Sequence, residues 1–247
     1  MVEFKLLSFR GGIHPLRRSH HGKYLTEKVA VEKAAVPKNV VIPLAQHIGA
    51  PCQPVVQVGD LVKLGQKIGD PKGFVSAPVH SSVSGKVIAI EPRPHSLGQN
   101  VMSVIIENDG LDSKADTVLP KGDVDSLSPQ EIKNIILDAG IVGMGGATCP
   151  THVKLSPPEG KKIDTVILNG AECEPYLTAD HRLMLEQPEE VVYGLRAIMK
   201  VLGVKKGFIG IENNKPDAIR SMMKAAADQP DIEVVALKTK YPQGAEK

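Results

Sequence analysis

The sequence contains no tryptophan, and aromatic residues make up only 3% of its 247 positions. A hydrophobic core must therefore be built from Val, Ile, Leu and Ala, which favours parallel α/β layers and small β-barrels. The length allows one large domain or two modest ones, each able to bury a core of its own. We expect two domains.

Cysteine is also scarce: Cys52, Cys149 and Cys173 are the three in the chain, and they show no C-x-x-C spacing. This pattern excludes a disulfide framework and a cysteine-ligated zinc or iron–sulfur site in these residues, and it indicates a reducing compartment such as the cytosol. The first residues lack the apolar core of a signal peptide, and no apolar run is long enough for a membrane span. Any membrane association is therefore expected to be peripheral.

No charge of one sign dominates the chain, whose formal net charge is +2. Residues 1–110 carry 13 Lys and Arg against 8 Asp and Glu, whereas residues 111–247 carry 17 against 20. The basic first part can face a membrane surface or an acidic partner, but it has no Lys/Arg run interleaved with aromatic residues. Nucleic acid is therefore not an expected partner.

Short Val/Ile segments alternate with Gly/Pro turns between residues 29 and 108, which is typical of a small β-barrel or sandwich. Two of these segments, VGDLVKLGQKIGD and APVHSSVSGKVIAI, resemble the half-repeats of biotinyl and lipoyl carrier domains. The resemblance implies a barrel-sandwich hybrid, which we assign to residues 1–110.

Lys72 is the one lysine between the two half-repeats, where a carrier domain would present its modified lysine. The residues that flank a modified lysine in carriers are absent around DPKGFVSAP. We therefore favour a surface lysine in a turn of a structural barrel over a biotin-dependent or lipoyl carrier, and we expect no group on Lys72.

The pattern changes after residues 111–127, a polar, turn-rich stretch that we interpret as a linker. Ser128 is a predicted N-cap, with Pro129 at the first helical position and Glu131 in the capping-box position. Helical and buried-strand patterns then alternate to the end of the sequence, in IDTVILN, QPEEVVYGLRAIMKVLG, GFIGIEN, KPDAIRSMMKAAADQ and IEVVALKTK. This alternation predicts a Rossmann-like α/β domain with a parallel sheet over residues 128–247.

The stretch GMGGATCPTHVK, Gly143 to Lys154, concentrates glycines around one lysine. Glycines accept positive φ and can turn several backbone N–H groups toward one phosphate, with the lysine adding a positive charge. The spacing matches neither the dinucleotide fingerprint nor a Walker loop. A phosphate-binding loop and a flexible connector both remain open on these residues alone.

A second marked stretch, NGAECEPYLTADH, follows the first predicted strand of the α/β domain. Glu172 and Glu174, with Asp180 nearby, suit a general acid/base pair, acceptors for ribose hydroxyls or a metal site, and a solvated acidic loop is the alternative. Extended geometry would place the two glutamates on one face. A catalytic thiol at Cys173 is disfavoured, because His181 is the nearest basic partner in sequence and is several residues away.

Five segments, FRGGIHP, GMGGATCPTHVKL, LNGAECEPYLTADHRLMLE, GIENNKPDAI and YPQGAEK, together resemble the C subunit of the Rnf (Rsx) electron-transport complex. They occur in order over essentially the whole chain. That family is similar to the NADH-oxidising flavoprotein subunit of respiratory complex I, in which a GRGGAGFPT loop and a NADESEP loop hold FMN and NADH. The resemblance therefore implies FMN and NAD(H) as cofactors.

The resemblance also implies which residues contact these cofactors, residue by residue. The glycine loop would be lined by Gly143, Gly145, Gly146 and Ala147, with Lys154 reaching the flavin phosphate or its neighbourhood.

Asn169, Glu172 and Glu174 match the polar positions of the NADESEP loop, with Glu174 toward the nicotinamide nucleotide and Asp180 as a supporting acid. Tyr241, Gly244 and Glu246 match a YxxGEE segment beside the flavin. No catalytic protein residue is implied, because hydride transfer is the chemistry of the flavin.

The sequence departs from the flavin-binding pattern of that family at three positions. Met144 replaces an Arg, Ala171 replaces an Asp and Ala245 replaces a Glu. Each change removes a polar contact. The alternative function is therefore a non-catalytic assembly module of the same type of complex, which keeps the fold and docks to other subunits.

The resemblance implies the NAD(H)-reacting subunit of a membrane-bound ferredoxin:NAD⁺ oxidoreductase coupled to ion transport. Its partners would be the other Rnf/Rsx subunits, NADH and ferredoxin-derived electrons arriving through an iron–sulfur subunit, at the cytoplasmic face of the inner membrane. The family also has a β-grasp domain and a ferredoxin-like domain with two [4Fe–4S] clusters. We expect this chain to be truncated before both domains, and to be nearly inactive as an NADH dehydrogenase by itself.

Overall fold

The computed structural model describes residues 4–13, 22–144 and 147–245. Its contacts divide the chain into two compact units. The barrel unit comprises residues 34–161, and the sheet unit comprises the described residues up to 33 together with those from 162 onward.

The elements are numbered in chain order through both units. The strands are β1 (Leu6–Leu7), β2 (Asn39–Pro43), β3 (Gln53–Pro54), β4 (Leu61–Val62), β5 (Lys67–Asp70), β6 (Val79–His80), β7 (Gly85–Pro94), β8 (Asn100–Asn108), β9 (Val166–Gly170), β10 (Gly207–Glu212) and β11 (Ile232–Leu237). The α-helices are α1 (Pro129–Asp138), α2 (Thr151–Lys154), α3 (Ala179–Glu186), α4 (Pro188–Leu202) and α5 (Pro216–Ala225), and short 3₁₀ helices cover Lys23–Leu25 and Asp116–Val118.

The barrel unit contains two antiparallel sheets, ordered β2-β8-β7-β4 and β3-β5-β6. Alternate residues of the long strands point inward and pack as an aliphatic core, as the lack of aromatic residues requires. The core side chains include Leu44, Ile68, Val87, Val104 and Ile106. This architecture confirms the barrel-sandwich prediction, and Lys72 lies exposed in the connection between β5 and β6.

Helix α1 belongs to the barrel unit. The predicted capping box is present: the Ser128 hydroxyl accepts a hydrogen bond from the Glu131 N–H, and the Ser128 N–H donates to the Glu131 carboxylate at 2.7 Å. Gly140 ends the helix with φ of 67°, in the left-handed region that favours glycine. The predicted domain boundaries, 1–110, 111–127 and 128–247, remain predictions.

The sheet unit is built on four parallel strands in the order β1-β11-β10-β9. Ile209 and Ile211 of β10 are fully buried, and helices α3, α4 and α5 supply the rest of an aliphatic core that includes Leu195, Ile219 and Met222. This confirms the Rossmann-like prediction. Because the strands are parallel, all four carboxyl ends lie at one edge of the sheet, where ligands of open α/β sheets bind.

Candidate functional site

The carboxyl edge of the parallel sheet carries the loop that follows β9, residues 171–178, which we call the β9 loop. Asn169 lies near the end of β9 and fixes the two chain segments beside it. Its amide nitrogen donates to the Gly244 carbonyl at 2.8 Å, and its amide oxygen accepts from the Ala171 N–H at 3.1 Å. A Cβ atom on Gly244 would lie 2.6 Å from the Ala171 carbonyl oxygen, so this close approach requires glycine.

Glu172 is buried, and one of its carboxylate oxygens accepts a hydrogen bond of 2.8 Å from the Asp180 N–H. The carboxylate thereby caps helix α3, because the hydroxyl of the N-cap residue, Thr178, is hydrogen-bonded to Thr26 instead. The Asp180 side chain itself is exposed in the first helical turn.

The expectation that Glu172 and Glu174 share one face is wrong. Strand β9 ends at Gly170, so the two glutamates follow an irregular loop and not an extended strand. Glu172 turns into the interior while Glu174 is exposed. The two carboxylates therefore lie in different environments.

Lys23 is a functional candidate that sequence reasoning missed. Its ammonium group is buried and donates to the backbone carbonyls of Glu174, at 3.0 Å, and Leu177, at 2.5 Å. It also lies 3.8 Å from the second carboxylate oxygen of Glu172. Burial, and then the like charge of Lys215, lower the pKa of Lys23, whereas the charge of Glu172 acts to raise it.

Glu212 and Lys215 form a second buried ionic pair, at the carboxyl end of β10. The Lys215 ammonium lies 3.4 Å from one Glu212 oxygen and 3.2 Å from the Asn214 amide oxygen. The other Glu212 oxygen is buried and makes no hydrogen bond within the described residues. The motif ENNK, which begins at the last residue of β10, was the available sequence signal, because charged residues at this edge of a parallel sheet are candidates for function.

The terminal segment lies against the residues that follow β1. Tyr241 and Ile13 exchange two backbone hydrogen bonds of 2.7 and 2.9 Å. The Lys240 ammonium donates to the carbonyls of Phe9 and Gly11. Burial raises the pKa of the Tyr241 hydroxyl, and the negative groups nearby act in the same direction.

The glycine loop lies in the barrel unit, between α1 and α2. Its ends are held by a bridge between Val142 and Pro150 and by a 2.9 Å bond from the Gly143 N–H to the Cys149 carbonyl. A Cβ atom on Gly143 would lie 3.4 Å from the Lys154 ammonium nitrogen. The exposed Lys154 ammonium therefore lies close to the backbone of Gly143, which has no side chain.

Not all of the predicted cofactor-binding positions lie within the described residues. Gly145, Gly146 and Glu246 lie outside the described residues. Ala147 is exposed, and so is Met144, at 93% of its surface. Within the sheet unit, the structure brings Asn169 and Gly244 together, and the charge of Glu174 acts on Tyr241.

Among the residues that the structure describes, no group of three or more His, Cys, Asp or Glu side chains is arranged to hold a metal ion. No helix in that same part of the chain has both the length and the apolar character needed to cross a membrane.

Two family models match the chain. The model described as the RnfC barrel sandwich hybrid domain matches residues 7–111, and the model described as the Nuo51 FMN-binding domain matches residues 136–247.

Curated relatives match along nearly the whole chain. The C subunit of the Na⁺-translocating ferredoxin:NAD⁺ oxidoreductase complex of Acetobacterium woodii is 57% identical over 97% of this chain and 53% of that protein. The C subunit of the proton-translocating ferredoxin:NAD⁺ oxidoreductase complex of Clostridium ljungdahlii is 52% identical over 98% of this chain and 52% of that protein. The chain thus spans about half the length of these relatives.

Among solved structures, an NAD⁺-reducing [NiFe]-hydrogenase in the air-oxidized state matches 47% of this chain and 24% of its own. The sequence identity is 21% and the TM-score is 0.40, which is too low a likeness to indicate function.

Proposed function

Because the chain belongs to the family of C subunits of Rnf-type ion-translocating oxidoreductase complexes, we propose that it is the FMN-binding, NAD(H)-reacting part of such a subunit. The observation that carries the proposal is the match of residues 136–247 to an FMN-binding domain. These residues include both the glycine loop with Lys154 and the β9 loop.

The polar groups present fit the chemistry of FMN. In the barrel unit, the exposed Lys154 ammonium beside the bare backbone of Gly143 suits a phosphate dianion. In the sheet unit, the exposed Asn169 and Glu174 and the segment around Tyr241 and Gly244 present amide, carboxylate and backbone groups at the carboxyl edge. Such groups suit the hydroxyls of a nucleotide or of a ribityl chain.

The residues of each unit are proposed as cofactor-binding groups. Lys154, Gly143, Gly145, Gly146 and Ala147 would serve the flavin phosphate. The polar groups proposed for the flavin and the nicotinamide nucleotide are Asn169, Glu172, Glu174, Asp180, Tyr241, Gly244 and Glu246. One carboxylate oxygen of Glu172 already caps α3. The proposed role of Glu172 is therefore to shape the loop as well as to add negative charge.

FMN, when bound, supplies the hydride exchange with nicotinamide, and it requires no protein acid at the reacting atoms. The chain's own task is to bind and orient the two nucleotides. In the whole complex, electrons would pass between NADH, FMN and two [4Fe–4S] clusters outside these residues, with ferredoxin as the further redox partner and ion transport as the coupled process. The proposed location is peripheral, at the cytoplasmic face of the inner membrane with the other subunits.

The competing function is an assembly module without cofactor, and the exposed Met144 together with the buried Ala171 favours it, because both positions lack the polar group of the flavin-binding pattern. FMN titration of the purified intact chain, followed by addition of NADH, separates the two functions. We expect saturable FMN binding and bleaching of the bound flavin by NADH. An absence of any FMN binding would leave the assembly module as the better description.

A further inference from the structure

The β9 loop is attached to a distant part of the sequence through one buried lysine. Lys23 lies 151 residues before Glu174 and 154 residues before Leu177, the two residues whose carbonyls accept its hydrogen bonds. The ammonium nitrogen also lies 3.8 Å from one Glu172 carboxylate oxygen, which is an ion-pair distance and not a hydrogen bond. Lys23 therefore contacts the loop at three points.

The loop has a shape that requires such support. Tyr176, between the two acceptor residues, has φ of 64°, which is rare for a bulky side chain outside a held turn. Backbone of this kind persists where surrounding contacts determine it. The carbonyls of Glu174 and Leu177, on either side of Tyr176, accept hydrogen bonds from Lys23. The ammonium group therefore holds the backbone on both sides of the residue with positive φ.

The position of Lys23 is itself fixed by neighbouring contacts. A Cβ atom on Gly22 would lie 2.1 Å from the Tyr176 ring, so the chain passes directly against that ring. Three residues after Lys23, the Thr26 hydroxyl is 2.7 Å from the Thr178 hydroxyl, and further along Val31 donates its N–H to Glu186 at 3.1 Å. The segment that carries Lys23 is thus anchored on both sides of the lysine.

We propose that Lys23 is a positioning residue that holds the β9 loop in its binding shape through the carbonyls of Glu174 and Leu177. Because Lys23 is buried, its proposed action on a nucleotide is indirect, through the exposed Glu174 and through Asn169 at the base of the loop. The role for nucleotide binding rests on the proposed function. The role in ordering the loop does not.

Charge balance is the rival role for Lys23. Lys23 and Lys215 together neutralise Glu172 and Glu212, and all four side chains are buried. If balance were the whole role, removing one positive and one negative charge together would restore the loop. If the carbonyl bonds are the role, the paired removal would leave the loop loose.

The test is hydrogen–deuterium exchange of the β9 loop amides in the intact chain, with thermal melting as the folding control. Lys23→Met keeps the length of the side chain and removes its donors, and Lys23→Met with Glu172→Gln also removes the matching negative charge. Glu172→Gln alone disturbs the charge balance but keeps the carbonyl bonds. Lys28→Met is the matched control, because Lys28 is an exposed lysine of the same segment.

We expect loop exchange at least about tenfold faster in both variants that lack Lys23, the scale of losing a charge-assisted buried hydrogen bond. Glu172→Gln keeps an oxygen that can accept from the Asp180 N–H, so we expect a smaller increase than in the variants that lack Lys23. Lys28→Met should stay close to the wild-type rate at the loop. Wild-type exchange in Lys23→Met would overturn the proposal, and so would restored protection in the double variant or equal loosening by Glu172→Gln.

FMN and NADH affinities measured on the same samples separate this inference from the proposed function. We expect weaker nucleotide binding in both variants that lack Lys23. If the wild-type chain binds neither nucleotide while Lys23→Met still loosens the loop, the proposed function fails and the ordering role of Lys23 stands. If the wild type binds and Lys23→Met binds equally well, the positioning role for nucleotides is overturned.

Discussion

At the scale of single residues, the most unusual feature of this molecule is a set of buried charged side chains. Charged side chains are almost never fully buried without a partner, because removing an ion from water is costly. Lys23, Glu172, Glu212 and Lys215 are nevertheless each at most 6% exposed, and all belong to one unit. Glu172 and Lys215 follow the carboxyl ends of β9 and β10, and Lys23 lies against the β9 loop. These charges therefore lie near the edge of the sheet where a nucleotide is expected.

Glu172→Ala tests the capping role of Glu172. The substitution leaves the Asp180 N–H without its acceptor, so we expect the free energy of unfolding to fall by about 0.5 to 2 kcal/mol, the usual cost of a lost N-cap. Glu172→Gln retains an acceptor oxygen and should lose less. Chemical denaturation measures the difference.

The matched control for Glu172→Ala is Glu174→Ala, because Glu174 is exposed in the same loop. Its unfolding free energy should stay near the wild-type value. Equal losses in Glu172→Ala and Glu174→Ala would show that Glu172 does not cap helix α3.

At the residue level, motifs in the sequence pointed to some residues at the sheet edge, but the sequence could not show which charged side chains are buried. Asn169 and Gly244 were both named from their motifs, and they share a hydrogen bond. Lys23 and Lys215 were not named, since a lysine in sequence is by default solvated and its partners lie far away along the chain. The inward turn of Glu172 depends on where β9 ends, and strand ends are poorly defined by pattern alone.

At the scale of elements, the regular structure follows from local signals. Helix α1 has its capping box as predicted, and strands β9, β10 and β11 coincide with the apolar runs of the sequence. Strand β1 was not predicted, because two residues are too few for a periodic pattern. It joins the sheet by pairing Leu6 with Ala236 and Leu7 with Leu237, a contact that exists only in the folded chain.

Gly140→Ala tests the junction between α1 and the barrel core within the barrel unit. A Cβ atom there would lie 2.3 Å from the Pro78 carbonyl oxygen, and the residue has φ of 67°. We expect a loss of unfolding free energy above the roughly 1 to 3 kcal/mol of backbone strain alone, because the clash adds to it.

Gly160→Ala provides the matched control for that variant. Gly160 has φ of 80° with nothing within 4 Å of the added atom, so it reports backbone strain without the clash. Denaturation curves of the two variants should therefore differ, with Gly140→Ala the less stable. Equal stability would mean that α1 does not meet the barrel core as described.

The contact between helices α3 and α5 should make stability depend on pH. His181 donates to Asp217 at 2.9 Å. Burial acts to raise the pKa of the Asp217 carboxyl, but the hydrogen bonds from His181 and the Ala218 N–H outweigh it and hold the pKa below its ordinary 3.8. The unfolded state then binds more protons near this pH, so stability falls as the pH drops from 3.8 toward the lowered native value.

Asp217→Asn should remove that part of the acid destabilisation, so its unfolding free energy should fall less steeply with pH than that of the wild type. Asp228→Asn, at an exposed aspartate that follows α5, should keep the wild-type slope. Denaturation at a series of acidic pH values measures both slopes. An unchanged slope in Asp217→Asn would contradict the assigned role of the His181 contact.

At the scale of the whole molecule, the sequence predicted the family and the two architectures correctly. Long motifs in a fixed order indicated the family. Periodicity and composition indicated the two architectures. The residues proposed for the cofactors are distributed over both compact units, with Gly143 and Lys154 in one and Asn169 and Glu174 in the other. The sequence could not reveal this division, because only contacts in the folded chain place helix α1 and the glycine loop in the barrel unit.

The central claim is that the chain holds a flavin nucleotide whose phosphate meets Lys154. The most direct measurement is FMN affinity of the intact chain, compared between wild type, Lys154→Ala and the control Lys161→Ala, an exposed lysine of the same unit. We predict that Lys154→Ala weakens binding by about 1.5 to 3 kcal/mol, the scale of a charge-assisted hydrogen bond, without changing the melting temperature, whereas Lys161→Ala binds as the wild type does. Equal FMN affinity in all three proteins would contradict the claim.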